Sequence, residues 1–359
     1  MDERTLAWLK LGRATVRDAV KRAVLSRFPD PDHALQADLT ELDPGFQATQ
    51  SKARCLEDLI DQRSLDRDIA WCGNDRHVVV GISDGCFPPL LREVSCPPVV
   101  LYCAGDLSLF ANRSLAIVGA RKPTPAGREI SQRMAAEIGA TGVTITSGLA
   151  VGIDSAAHRG ALPTIGSTIA VCATGLDTVY PQRNVELARE IAEKGLMVSE
   201  FAPGTGVRKR HFPQRNRVIS GLSSGVMVVE AQLGSGSLIT AGFAADQSRE
   251  VFAVPGSVYS PLSSGPHRLI REGACLVETS ADVLETLGWP SGGLKADVTA
   301  LNSPAWCAEI LAAVDYAPTS INQIVERSGL TIGELCAMLI KMESAGLVRS
   351  VAGLYARMK

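Results

Sequence analysis

No charge of either sign dominates this chain. Its formal net charge is -2 and its isoelectric point is near 6.2, so no overall positive field draws it to nucleic acid or anionic lipid, and any nucleic-acid site must be a local patch. No Cys-x-x-Cys pair and no histidine cluster accompanies the nine cysteines, Cys55, Cys72, Cys86, Cys96, Cys103, Cys172, Cys275, Cys307 and Cys336. That odd, scattered set gives no zinc spacing and reads as reduced structural thiols, so neither metal nor cofactor is expected. No apolar run approaches the ~18 residues of a membrane span, and the opening MDERTLAWLK lacks the basic and apolar regions of a signal peptide. The expectation is a cytoplasmic protein with no membrane role. Internal repeats and low-complexity tracts are absent too. What remains is an ordinary globular composition, 46% apolar and 21% charged over 359 residues, enough for roughly two to three domains of about 150 residues.

Residues 1 to 70 read as a small helical domain, with Leu6, Leu9, Val16, Val20 and Val24 at helical spacings and breaks at Pro29, Pro31, Pro44 and Gly45. Over 71 to 290 the pattern becomes short β-branched runs alternating with helical segments. Nine strands are expected, at 78–82, 99–103, 115–118, 143–146, 168–172, 196–199, 226–229, 251–254 and 275–277, with helices at 126–138, 154–161, 185–194 and 237–247. Most of these runs are apolar throughout, as parallel strands covered on both faces require. The fold class is α/β, a Rossmann-like, doubly wound and mostly parallel sheet. A glycine-containing linker is expected over 291–298. Residues 300 to 359 then read as three helices and a short hairpin, the order of a winged-helix domain.

Four segments carry possible chemistry. The first strand-to-helix turn, Gly119-Ala120-Arg121-Lys122-Pro123-Thr124-Pro125, offers backbone amides to an anion, but Arg121 stands where a dinucleotide fingerprint needs its second glycine. A fixed guanidinium there suits a phosphate diester. The second, Thr146-Ser147-Gly148-Leu149-Ala150-Val151-Gly152, leads to Asp154 and His158, an i, i+4 pair that could serve as an acid/base couple, although no nucleophile accompanies it and helix capping accounts for the aspartate. The third, Val207-Arg208-Lys209-Arg210-His211-Phe212-Pro213-Gln214-Arg215-Asn216-Arg217, has five Lys or Arg side chains, no acid and one aromatic within eleven residues. It reads as a basic loop whose cations pair with successive phosphates while Phe212 stacks on a base. In the fourth, a strand ending at Glu230 leads to Gly234-Ser235-Gly236-Ser237 at a helix start, another anion nest. Ser237 as a nucleophile is weakly supported, because the nucleophile-elbow spacing is missing.

Taken in order, GARKPTPAGRE, TSGLAVGIDSAAHRGAL, CATGLDTVYPQRN, FPQRNRVISGLSSGVMVVEA, GSGSLITAGFAADQSREVFAVPG and LIREGA resemble the DNA processing protein A family, DprA or Smf. The resemblance runs across roughly residues 77 to 280. It implies a Rossmann-like core that binds single-stranded DNA without established catalytic activity, forms a homodimer, and loads the recombinase RecA during natural transformation. It also implies that Arg121 is the pocket arginine, Lys209 the pocket lysine and Phe212 the base-stacking ring. Gly119, Lys122, Ser147, Gly148, Arg215, Asn216, Arg217, Ser235, Gly236 and Ser237 fall at neighbouring motif positions and complete the expected DNA-binding set. At the level of fold, the N-terminal segment looks like a sterile-alpha-motif-like domain.

Two other readings compete. In a Rossmann-like nucleoside monophosphate hydrolase the same nests would hold a nucleotide and Glu230 would act as the acid, but the Pro-Gly-Gly-x-Gly-Thr-x-x-Glu signature is missing. In a duplex-DNA regulator the winged helix would enter a major groove. Residues 300 to 359, however, carry five basic and five acidic side chains, and the expected recognition helix has one lysine against two glutamates. The winged helix is therefore expected to contact protein.

Overall fold

The computed structural model describes residues 1–39, 53–290, 307–316, 318–351 and 353–358. The linker expected over 291–298 lies outside them. The chain divides into two compact units, Met1–Leu294 and Lys295–Lys359.

The first unit opens with helices α1 (Glu3–Arg13), α2 (Asp18–Arg27), α3 (Pro31–Gln36) and α4 (Gln62–Trp71). It continues β1 (His77–Gly81), α5 (Pro89–Arg92), β2 (Val100–Gly105), β3 (Ser114–Val118), α6 (Pro125–Ala140), β4 (Thr144–Ser147), α7 (Ile153–Ala161) and β5 (Thr168–Val171). Then come α8 (Val185–Lys194), β6 (Leu196–Ser199), α9 (His211–Gly221), β7 (Gly225–Val228), α10 (Gly236–Asp246), β8 (Glu250–Ala253), α11 (Ser264–Arg271), β9 (Cys275–Leu276) and α12 (Ser280–Thr286).

All nine strands join one sheet in the order β1-β2-β6-β5-β4-β3-β7-β8-β9. From β6 to β9 every pairing is parallel, and β3 to β7 are buried at every position. This is the doubly wound arrangement expected of continuous apolar strands. The first two strands depart from it, because β1 pairs antiparallel with β2 and β2 antiparallel with β6. They extend the sheet at the edge where the N-terminal helices pack. The chain moves from β3 to β4 on one side and later returns to place β7 on the other. Such a reversal of strand order leaves a crevice at the carboxyl ends of β3 and β7.

Separate apolar layers cover the two faces of the sheet, one around Leu101, Val118, Val198, Ile219 and Val228, the other around Leu115, Ile117, Met134, Ile145 and Phe252. The segment expected as a helical domain over 1–70 shares a third core with the sheet edge, in which Trp8, Leu9 and Leu11 meet Val79, Val100 and Tyr102. Contact here is close enough that a Cβ on Gly81 would fall 1.9 Å from the Trp8 ring. The same seam is tied by Arg13, which pairs with the fully buried Asp68 and donates to Pro203 O, while Tyr102 Oη donates to Asp68 at 3.0 Å.

The second unit has α13 (Ala308–Ala313), β10 (Thr319–Ser320), α14 (Ile321–Ser328), α15 (Ile332–Ser344), β11 (Val348–Val351) and β12 (Leu354–Arg357). Capping boxes at Ser320/Gln323 and Thr331/Glu334 start α14 and α15, and Gly329, at φ +69°, ends α14 in the left-handed region. The sheet β10-β12-β11 forms the wing. This is a winged helix built on its own core of Ile310, Leu311, Ile324, Leu335, Leu339 and Met342.

Candidate nucleic-acid interface

The crevice at the carboxyl edge holds a cavity of about 250 Å³. Gly119 and Arg121 after β3, Ala150 after β4, Phe212, Arg215 and Asn216 on α9, and Ser235, Gly236 and Ser237 at the start of α10 all line it. A narrower cleft of about 60 Å³ lies beside it, and Arg121, Ala150, Phe212 and Arg215 line both. Loops far apart in sequence thus meet around one guanidinium and one ring. The Arg121 Cζ lies 5.7 Å from the Phe212 ring centroid, over its face, within cation–π range.

Each loop is held by specific bonds. Ala120 N donates to Glu230 O at 2.7 Å and Ser237 Oγ to Gly119 O at 2.9 Å, which pins the turn after β3 to the turn after β7. Ser235 caps α10 by accepting from Ser237 N, and Asn216 Nδ2 donates to Gly236 O at 3.2 Å, joining α9 to α10. Gly119 cannot carry a side chain here, since a Cβ would lie 2.7 Å from Ile153 and 2.9 Å from Glu230 O. The walls are therefore set before any ligand arrives.

Several expected site residues do different work. The segment around Phe212 was expected as a basic loop, yet a helix begins at His211, and Phe212, Arg215 and Asn216 project from its first turns. Arg215 is buried; its Nη1 donates to Gly148 O and to Val171 O, the latter at 2.6 Å, closing the carbonyl ends of β4 and β5. Its guanidinium forms a wall and compensates Asp154. Arg217 leaves the site altogether, pairing with Glu200 and donating to Cys96 O at 2.6 Å. Ser147 is fully buried and donates to Ile117 O at 2.6 Å, so it joins two strands and does not face the cavity. Gly148 lines the narrow cleft through its backbone. Lys122 and Lys209 are exposed, one residue from Arg121 and three from Phe212, on the loops that supply those two groups.

The candidate acid/base couple is structural. Asp154 Oδ2 accepts from Gly148 N at 3.1 Å and Ala150 N at 3.4 Å. Burial raises its carboxyl above the ordinary range, against the pull of Arg215. His158 accepts from Leu149 N at its Nε2, at 3.3 Å, and Nδ1 lies 2.7 Å from Thr168 Oγ1. Because the Thr168 hydroxyl already donates to Ile145 O, the imidazole proton sits on Nδ1. Burial pushes the imidazole down to about 3, so it stays neutral. Glu230 accepts from Thr124 N and Thr124 Oγ1, at 2.9 and 2.6 Å, and holds the start of α6. The acid that a hydrolase would need is thereby occupied, and the Ser237 hydroxyl is spent on Gly119 O.

Sequence reasoning missed Tyr180, whose ring centroid lies 5.8 Å from that of Phe212 at 68°. It lines the narrow cleft and is 45% exposed. Only its place in CATGLDTVYPQRN pointed to it, since one aromatic in a loop has no periodicity to read.

A family model described as DNA recombination-mediator protein A matches residues 78–288, and a DprA winged-helix model matches 299–353. The chain belongs to the DNA recombination-mediator protein A family. The chain is 38% identical over 306 residues to Protein Smf of Escherichia coli (strain K12), a match covering 83% of this chain and 82% of that protein. It resembles the X-ray structure of DNA processing protein A from Streptococcus pneumoniae with a TM-score of 0.69 and 36% identity, over 79% of this chain and 98% of that one. A structure of DNA processing protein A from Helicobacter pylori, concerned with its single-stranded DNA binding mode, matches with a TM-score of 0.55 and 31% identity, over 59% and 95%. The family resemblance read from the six motifs is borne out. Among the described residues, no helix is long and apolar enough to cross a membrane.

Proposed function

We propose that the carboxyl-edge cavity grips the sugar-phosphate chain of single-stranded DNA, and that the protein delivers the coated strand to RecA during DNA uptake. The observation that carries the reading is the seating of Arg121 over Phe212 beside the start of α10. A phosphate can pair with the guanidinium while an unpaired base lies on the ring. Exposed Lys122, Arg208, Lys209 and Arg210 on the adjoining loops extend the positive rim of a molecule that is net negative. The homology to a DNA processing protein A studied for its single-stranded DNA binding mode supports the same ligand. The reading is non-enzymatic, because Glu230, Ser237, Asp154 and His158 are all engaged in holding the walls. Competition between a labelled single strand and unlabelled duplex of equal length tests it: the single strand is expected to hold its site, and displacement by duplex at matched phosphate concentration would refute it.

Self-association is part of the proposal. An open groove between α10 and α11 is lined by Leu238, Ile239, Ala241 and Leu269, and Leu276 on the edge strand β9 is 46% exposed. Exposed Ile239 and Leu276 at this edge support a face that meets a second copy. Sedimentation velocity at micromolar concentration should show a dimer, and a monomer throughout would contradict it. On α15, Ile332 and Ile340 are 55% and 63% exposed, with one lysine against two glutamates. This favours protein over duplex as the partner of the winged helix.

A further inference from the structure

Phosphate binding by Arg121 leaves the rings and apolar side chains of the narrow cleft beside the main cavity without a role. Apolar Ala150, Val151, Ala173 and Pro181 and the Tyr180 and Phe212 rings line it together with Thr174 and the two arginines, Arg121 and Arg215. At about 60 Å³ it is small for a phosphate with its water shell, and two aromatic rings border it. Its wall is held firmly: Gly175 N donates to Thr205 O, Thr174 Oγ1 to Thr178 O, and Asn184 Nδ2 to Leu149 O and Ser155 Oγ. These bonds fix the loop from 172 to 184 at both ends and leave the Tyr180 ring half out in solvent. The Tyr180 ring, 45% exposed, belongs with the exposed aromatics Tyr259 and Tyr316 and not with the fully buried Trp8, Phe87, Tyr102 and Phe252.

We propose that this cleft is a second base-binding subsite, in which Tyr180 contacts the nucleobase next to the one stacked on Phe212. The proposal rests on the single-strand reading above and deepens it. Its physical content is the 68° inclination of the two rings. Two consecutive bases, each lying flat on one ring, are turned out of parallel by the same angle. A duplex keeps its neighbouring bases parallel and cannot satisfy both rings, whereas a flexible single strand can splay them. Tyr180 thereby contributes to selectivity for unpaired strands as well as to affinity, and Arg121, which lines both spaces, holds the phosphate between the two bases.

The test compares an oligothymidylate 15-mer with a fully abasic strand of the same length, carrying the same phosphates, on the full chain. Tyr180→Leu is expected to weaken oligothymidylate binding by about five- to hundredfold, the range of one lost base stack. Abasic binding should stay unchanged, and Tyr180→Trp should restore the affinity. Equal losses on both strands would overturn the proposal, since the ring would then only shape the loop. So would unchanged oligothymidylate binding by Tyr180→Leu alongside a loss in Phe212→Ala. If Phe212→Ala and Arg121→Ala both bind as the unmodified protein does, the single-strand reading itself fails and takes this subsite with it.

Discussion

At the scale of single residues, charges in and around the crevice divide into working and supporting groups. Arg121 is exposed and can be removed without leaving a buried partner, whereas Arg215 is buried, donates to two strand-end carbonyls and feels the charge of Asp154. Arg215→Ala leaves the buried Gly148 and Val171 carbonyls without their donor and is expected to cost roughly 1–3 kcal/mol of stability. Arg121→Ala should leave the urea midpoint unchanged. Urea unfolding of the two variants distinguishes them, and equal midpoints would contradict the assigned roles. The imidazole of His158 gives a pH signature. Its folded value of about 3 lies below the ordinary 6.5, so the unfolded chain binds the extra proton and stability falls as pH drops from 6.5 towards 3. Glu200 acts oppositely. Burial raises it from 4.5 to about 7 despite Arg217, so its contribution falls as pH rises through that window. Between pH 4.5 and 6.5 the two oppose each other. Relative to the unmodified protein, Glu200→Gln should steepen the rise of stability with pH and His158→Gln should reduce it, each by up to about 1.4 kcal/mol per pH unit. Denaturant unfolding across that range reads both slopes, and identical slopes in all three proteins would contradict the account.

At the scale of elements, the sheet was legible and the helix that carries the site was not. Each of the nine apolar runs became a strand, with no end shifted by more than two residues, because an apolar run between turn residues has few alternatives in a chain this long. Helix α9 was hidden by its own beginning. Arg210 stands at its N-cap without a side-chain hydrogen bond, basic residues crowd its positive end, and Pro213 falls in its first turn. Each of these disfavours or punctuates a helix locally, and only the first turn tolerates the proline. Tertiary bonds from Arg215 and Asn216 override them. The antiparallel edge was likewise unreadable, since strand direction depends on where the chain returns and apolar content does not encode it. That edge is also where the N-terminal helices attach, through Trp8 lying against Gly81. Gly81→Ala should destabilise the first unit by about 1–3 kcal/mol through overpacking, seen as a lowered thermal midpoint; an unchanged midpoint would mean that the seam can give.

At the scale of the whole molecule, every residue lining the two spaces belongs to the first unit. A chain ending at residue 290 is therefore expected to retain single-strand affinity within about twofold, measured by fluorescence anisotropy, and a large loss would give the winged helix a DNA role that its balanced charge does not suggest. Motif order foresaw the meeting of Arg121 and Phe212, while the diversion of Arg217 to Glu200 and the burial of Ser147 depended on packing that no single motif records. The central claim is that one guanidinium holds phosphate and one ring holds a base. Its most direct test is the salt dependence of single-strand binding by the unmodified protein, Arg121→Ala, Lys209→Ala and Phe212→Ala. Removing either cation should flatten the log–log slope by about 0.7, whereas removing the ring should weaken binding with the slope unchanged. The same loss of slope in all three variants, or in none, would contradict it.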